Sequence, residues 1–292
     1  ITTSDTSLAD AATLVTLDGS TSGTINASTI DTIQGSASDL ASVYGSSGIS
    51  NFGDDDTVTV TGTSAAASDL NTIAAGNTLQ VTVSGTVDTI TGSAADVAVM
   101  YNNADGGGTD GIDITNDEAV TVTGDTAAAS DVASINADTS GQIDTATNVA
   151  TITGSVTEVQ TFQTSRTAGE VTAKSNYAVT ISNTAVDAGD INGLTGAGKT
   201  FGTVSVTDAD DINGTEAELD TFFTKVTSSA IATSLDFNLE VEHTGNSVTA
   251  SKIVSYDTFT DGTITFAAGA NTITGSVSDL AAVFSSAQVT TP

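Results

Sequence analysis

Thr272-Ile273-Thr274-Gly275-Ser276-Val277-Ser278-Asp279-Leu280-Ala281-Ala282-Val283-Phe284 decides the fold, because the pattern occurs five times. The earlier copies run from Thr32 to Tyr44, Thr89 to Tyr101, Thr151 to Phe162 and Asp211 to Phe223. Their glycines, Gly35, Gly92, Gly154, Gly214 and Gly275, are separated by 57, 62, 60 and 61 residues. A period of about 60 residues that fills a chain marks a repeat architecture.

Each copy reads as a strand, a turn and a helix start. Thr-Ile-Thr alternates polar and apolar residues, as a half-buried strand does. The glycine is expected to end the strand in a conformation closed to other residues. A hydroxyl residue and, three positions on, an acid follow: Ser36/Asp39, Ser93/Asp96, Ser155/Glu158, Thr215/Glu218 and Ser276/Asp279. This spacing is that of a capping box, with the shorter Asp less suited than Glu to the reciprocal bond. Five equivalent acids read as caps rather than as catalytic groups. An apolar residue comes next (Leu40, Val97, Val159, Leu219, Leu280), and an aromatic closes the helix (Tyr44, Tyr101, Phe162, Phe222 with Phe223, Phe284).

A second motif alternates with the first. Thr57-Val58-Thr59-Val60-Thr61-Gly62 leads through an alanine-rich run to Asp69, Leu70 and Ile73. Its equivalents lie at 120–135, 179–194 and 239–256, and Ile1-Thr2-Thr3 matches the tail of such a strand. A further strand is expected between the motifs at Thr24–Ala27, Leu79–Val83, Gln142–Ala146, Thr203–Val206 and Thr263–Phe266. Variable loops are expected at Ser46–Asp56, Ala104–Glu118, Thr164–Asn176 and Thr227–Asn238. The fold class is therefore a β-rich repeat solenoid with short helices, an α/β solenoid of about ten strand–helix coils in parallel register. Residues 1–292 form one array of five repeats, roughly 1–56, 57–119, 120–178, 179–238 and 239–292. A β-solenoid without regular helices, or several β-rich domains, are the competing folds.

The formal charge is −31, from 36 acidic and 5 basic residues, and residues 1–165 contain no Lys or Arg. Such a surface repels nucleic-acid phosphates and anionic membranes. No apolar run is long enough to span a bilayer, so neither nucleic acid nor membrane insertion is expected. There is no cysteine, hence no disulfide framework. The chain starts at Ile1 rather than Met, as a processed protein or a fragment would. An acidic surface with few bases suggests an extracellular or cell-surface protein working in salt or divalent cations.

Calcium takes several hard oxygens, which acidic loops can supply. The candidate ligands are Asp54, Asp55, Asp56, Asp105, Asp110, Asp113 and Asp117. No other cofactor is implied. His243 is the only histidine, which argues against zinc and against histidine-based nucleophilic catalysis. No nucleophile elbow, phosphate loop or dinucleotide fingerprint is present, so no catalytic residue is assigned and the chain is not expected to be an enzyme.

The alternation of Thr-Ile-Thr-Gly-Ser-Ala-Ala-Asp-Val (89–97) with Thr-Ser-Ala-Ala-Ala-Ser-Asp-Leu-Asn-Thr-Ile (63–73) resembles the repeat regions of very large secreted surface proteins of marine cyanobacteria and related bacteria. The resemblance covers essentially the whole chain and implies an exported structural or adhesive role. The function expected is a non-enzymatic extracellular structural protein, the subunit of a filament, sheath or surface layer. Its partner is itself, end to end, because neither terminal stretch carries an evident cap. The alternative is an adhesin or phage-fibre segment that binds cell-surface glycans or a receptor through its variable loops. A carbohydrate-active enzyme on a parallel solenoid is the third possibility.

Overall fold

A computed structural model of the chain describes residues 1–4, 9–50, 56–104, 111–195, 202–243 and 245–290. It is an α/β structure with ten helices and parallel strands in several open sheets among those residues. The helices exclude the helix-free alternative.

The elements repeat. The first set is β1 (Ala9–Asp10), α1 (Ala11–Gly19), β2 (Ile25–Asn26), β3 (Thr32–Gly35), α2 (Ala37–Gly45) and β4 (Ile49–Ser50). The second is β5 (Thr57–Val60), β6 (Ser64–Ala66), α3 (Ala67–Gly76), β7 (Val81–Val83), β8 (Thr89–Gly92), α4 (Ala94–Asn102) and β9 (Ile112–Asp113). The third is β10 (Ala119–Val122), β11 (Thr126–Ala128), α5 (Ala129–Asp138), β12 (Ile143–Asp144), β13 (Thr151–Gly154), α6 (Val156–Ala168) and β14 (Val171–Thr172). The fourth is β15 (Ala178–Ile181), β16 (Ala185–Asp187), α7 (Ala188–Leu194), β17 (Val204–Ser205), β18 (Asp211–Thr215), α8 (Glu216–Thr227) and β19 (Ile231–Ala232). The fifth is β20 (Asn238–Glu242), β21 (Ser247–Thr249), α9 (Ala250–Tyr256), β22 (Ile264–Phe266), β23 (Thr272–Thr274) and α10 (Val277–Ser285).

A full repeat thus holds five strands, at positions a to e, with helices after b and d. Position e, expected to be loop, is a two-residue strand at β4, β9, β14 and β19. Helices α6 and α8 also run past the aromatic expected to end them, to Ala168 and Thr227.

The chain divides into two compact units. One comprises Ile1–Val149 and Phe162–Lys174, the other Ala150–Thr161 and Ser175–Pro292. In the first, one sheet runs β1-β3-β5-β7-β9 and another β6-β8-β10-β12-β14, with a small sheet β2-β4. In the second, β13-β15-β17-β19 and β16-β18-β20-β22 run in parallel order, and β21-β23 form a small sheet. One rule covers the large sheets: strands b and d of one repeat join strands a, c and e of the next. The run β13-β15-β17-β19 obeys it from position d onward, and beyond β22 a parallel bridge from Ile264 to Val289 stands at position e.

The register explains why this is stable. Ala9, Ile33, Val58, Val81 and Ile112 are successive partners across one sheet, and all five are buried. Ala65, Ile90, Val120, Ile143 and Val171 do the same in the next. In the second unit the buried ladders are Ile152-Val179-Val204-Ile231 and Val186-Ile212-Leu239-Ile264. Each buried Val or Ile contributes about 1.5–3 kcal/mol. A one-residue slip would turn a whole ladder outward.

The capping boxes form as the spacing predicts. The backbone N–H of Asp39, Asp96, Glu158, Glu218 and Asp279 donates to the cap hydroxyl at 3.1, 3.1, 3.3, 3.4 and 3.2 Å. Glu158 and Glu218 reach back to the cap N–H at 2.7 and 2.9 Å. The three shorter Asp side chains instead accept from the cap hydroxyl, each at 2.7 Å.

In four of its five copies the glycine of the motif has a different cause from the one expected; the fifth, Gly154, has a φ of 157°. Gly35, Gly92, Gly214 and Gly275 all have ordinary negative φ. A Cβ on them would lie 2.8, 3.1, 3.0 and 2.7 Å from the Cβ of Ala11, Ala67, Ala188 and Ala250, the first residues of the preceding helices. Close packing requires the glycine. The positive φ falls at the turn between positions a and b, where Gly62 and Gly124 have φ of 119° and 93°.

Candidate functional site

Of the acids expected to bind calcium, Asp54, Asp55, Asp105 and Asp110 lie outside the described residues. Asp56 is only 5% exposed, and its backbone carbonyl accepts from the Asn77 amide at 3.1 Å. It stands beside Tyr44, whose hydroxyl pKa is driven up by burial and by the Asp56 charge. Asp113 sits on β9 opposite Thr82. Asp117 is exposed and accepts from the Thr115 hydroxyl at 2.6 Å. No group of three His, Cys, Asp or Glu side chains that could hold a metal converges among the described residues.

The repeat shows an acid that the sequence pattern alone does not single out. Glu118 occupies the position of Asp56, immediately before strand a, and is 4% exposed. One of its carboxylate oxygens accepts from the N–H and hydroxyl of Thr115 at 3.2 and 2.5 Å. Burial pushes the nearby Tyr101 hydroxyl up to about 12; a Thr139 hydrogen bond opposes the shift and the Glu118 charge adds to it. Tyr177 and Phe237 occupy the same position in later repeats, and Phe237 stacks on Phe223 with ring centroids 6.3 Å apart. The position is thus a core packing site that accepts an acid or an aromatic. Counting back one residue from each strand a would have revealed it.

Three clefts are lined mainly by polar side chains, and one of about 470 Å³ mostly by Phe266, Gly269 and alanines. One of about 600 Å³ lies at the ends of α3 and α4 and is lined by Asn71, Asn77, Asn102 and Asn103 with alanines. The equivalent cleft in the third repeat, about 330 Å³, is lined by Asn136, Thr139, Ser140, Gln142 and Glu170. A third, of about 350 Å³, is lined by Glu216, Asp220, Glu242 and His243 among others. There Asp220 pairs with Lys252 and accepts from the Tyr256 hydroxyl at 2.9 Å, while Glu216 accepts from Thr249. His243 accepts from the Asn246 N–H at 3.2 Å, as a turn residue does.

Several positions of the first and last copies are more exposed than most of their inner equivalents. At the strand position of the motif, Ile33, Ile90, Ile152 and Ile212 are at most 1% exposed, whereas Ile273 is half-buried. At the first helical position Ala37, Ala94 and Val156 are buried, whereas Val277 is 86% exposed. Tyr101 and Phe223 are 3% and 4% exposed, whereas Phe284 is 65% exposed. The same happens at the other end. Val58, Val120, Val179 and Leu239 are at most 1% exposed, but Ile1 in the equivalent place is 58% exposed. Leu17 of α1 is half-buried where Ile73, Ile135 and Leu194 are fully buried. Identical sequence positions therefore change from core to surface at the two ends. The sequence motif placed these residues correctly but, being the same in every copy, could not show which copy is left uncovered.

Comparison with protein-family models, curated proteins and solved structures returns no match for this chain. The fold and its faces define the class by themselves, an α/β protein of repeated strand–helix units.

Proposed function

We propose that the chain is a non-enzymatic structural protein, a solenoid-like array of about ten strand–helix coils that associates end to end. The observation that carries this reading is the regular repetition of buried apolar ladders and capped helices, in which the acids of the motif serve as helix caps. A contact between two different faces of one chain is head-to-tail, and it builds an open filament or layer rather than a closed dimer. The acidic surface and scarcity of bases support an extracellular or cell-surface setting, in which salt or calcium screens the charge. The acidic stretches of sequence with Asp54, Asp55 and Asp56, and with Asp105, Asp110, Asp113 and Asp117, are proposed as the calcium-binding segments.

Electron microscopy of the purified protein at raised salt tests the reading. Filaments or sheets with an axial repeat are expected. Separate particles of single-chain size at every salt concentration would overturn it.

A second reading rests on the amide-lined clefts at Asn71–Asn103 and Asn136–Glu170. Amides and hydroxyls both donate and accept, which suits glycan hydroxyls. Binding to a glycan array by single, unassembled chains would favour this adhesin reading.

A further inference from the structure

We infer that the cleft of the second repeat is a binding site for a neutral saccharide, opened by a single departure from the repeat at Ala74. The inference rests on the adhesin reading above and deepens it, by choosing one cleft and one class of glycan.

The other repeats show what fills this place. The paired helices pack on each other, α1 on α2, α3 on α4, α7 on α8 and α9 on α10. Near their C-terminal ends a side chain crosses from one helix to the other. The crossing joins the eighth residue from the start of the first helix to the tenth from the start of the second. In the first repeat the Ser46 hydroxyl donates to the Asp18 carboxylate at 2.7 Å. In the third the Asn136 amide donates to Ser165 Oγ at 3.2 Å, and in the fifth the Ser286 hydroxyl donates to Asp257 at 3.1 Å. In the fourth the tenth residue, Lys225, donates instead to the backbone carbonyl of Asn192 at 2.9 Å. The second repeat has Ala74 and Asn103 at these places. Alanine has no group to meet the amide, and the bridge is missing. What remains is a cleft of about 600 Å³, against about 330 Å³ in the third repeat. All five repeats share one backbone pattern, so packing of the fold does not by itself require the opening.

The lining shows what the cleft lacks. Asn77 is 7% exposed, and its amide N–H groups donate to the carbonyls of Asp56 and Leu79 at 3.1 and 3.2 Å. Its Oδ1 is buried with no hydrogen-bond partner. Asn71 is placed alike: its amide donates to the Asp96 carbonyl at 2.9 Å, and its Oδ1 is buried and unpartnered. A buried acceptor left without a donor is costly. Both residues line the cleft, so the missing donor can come from a ligand within it. Asn102 and Asn103 at the rim are exposed and offer amide groups of both kinds. A ligand that satisfies this set must donate and accept at several points. Hydroxyl groups do both, and Ala74, Ala75 and Ala104 supply small apolar surface for the C–H face of a sugar ring. No charged side chain lines the cleft, and residues 1–165 contain no Lys or Arg. An anionic sugar would find no counter-charge in a strongly acidic chain. The volume lies within the roughly 300–1,000 Å³ of small-molecule clefts.

A glycan array read with single, unassembled chains tests the site, with neutral hexose and N-acetylhexosamine oligosaccharides beside sialylated and sulfated ones. Binding to neutral members alone is expected. The strongest of these is then titrated by calorimetry into wild type, Ala74→Asp and Asn103→Ala. Ala74→Asp supplies the carboxylate that Asp18 and Asp257 supply in their repeats, engages the Asn103 amide, and is expected to weaken binding about tenfold or more. Asn103→Ala removes an exposed amide and is expected to weaken it severalfold. Both variants should melt within a few degrees of wild type, which separates loss of the site from loss of the fold. Binding confined to sialylated or sulfated members, or neutral binding that survives both substitutions, would overturn this site and leave the adhesin reading standing. No binding to any member of the array would overturn both.

Discussion

A Cβ added to Gly141 would lie 1.9 Å from the carbonyl oxygen of Glu118, and one added to Gly262 would lie 2.2 Å from that of Phe237. The two glycines hold one repeat position, just before strand c, where neighbouring backbones touch. Gly85 has nothing within 4 Å. Gly141→Ala is therefore expected to cost about 1–3 kcal/mol through overpacking, and Gly85→Ala to stay within about 0.5 kcal/mol. Denaturant melts of the two variants check this. Glu218 gives a pH-dependent counterpart. The N–H and hydroxyl of Thr215 hold its carboxyl below the ordinary value of 4.5. A depressed folded pKa contributes stability that is present above the unfolded value and lost as pH falls through the folded one. Glu218→Ala should therefore lower the melting temperature by a few degrees at neutral pH. The gap from wild type should begin to close as pH drops below 4.5; a gap independent of pH would contradict the charged capping box. The box was legible because Ser-x-x-Glu spacing is itself the geometry. The reason for Gly35 and its equivalents was not, because contact with Ala11 of the preceding helix start joins residues far apart in the chain.

Strands at positions a, c and d announce themselves by alternation, as in Thr57-Val58-Thr59-Val60, whereas position b, Ser64–Ala66 and Thr126–Ala128, lies in the alanine-rich run read as helical and shows none. Position e shows none either. Ile49-Ser50 and Ile112-Asp113 are two residues long, too short for any period to appear. The available signal was one β-branched residue, Ile49, Ile112, Val171 or Ile231, standing eight or nine positions before the buried residue of the next strand a. The assignment of b and d to one sheet with a, c and e of the following repeat lay beyond the sequence altogether. It depends on which strands become neighbours, and every copy offers the same Thr-Ile-Thr. The consequence is testable on equivalent residues. Ile90→Ala removes the centre of a buried ladder and should cost about 2–5 kcal/mol. Ile273→Ala, at the same motif position but half-buried, should cost the single chain about 1 kcal/mol or less. Equal destabilisation of the single chain by both variants would show that the terminal face is already covered.

Thirty-six acids against five bases leave a charge of −31 on the whole molecule, and any association brings two such bodies together. Screening within about 10 Å at 0.1 M salt is therefore a condition of assembly. Calcium acts on the same balance, and a cation that binds only the folded chain stabilises it further as its concentration rises. Chelator at constant ionic strength is expected to lower the melting temperature, and magnesium to restore it only in part. Full restoration by magnesium would assign the effect to screening, and no change with either would rule out structural calcium. Self-association is tested most directly by sedimentation velocity of the 292-residue chain over a series of protein and salt concentrations. The sedimentation coefficient is predicted to climb with both, without a plateau at the dimer. A single-chain boundary at every concentration and every salt would contradict head-to-tail assembly.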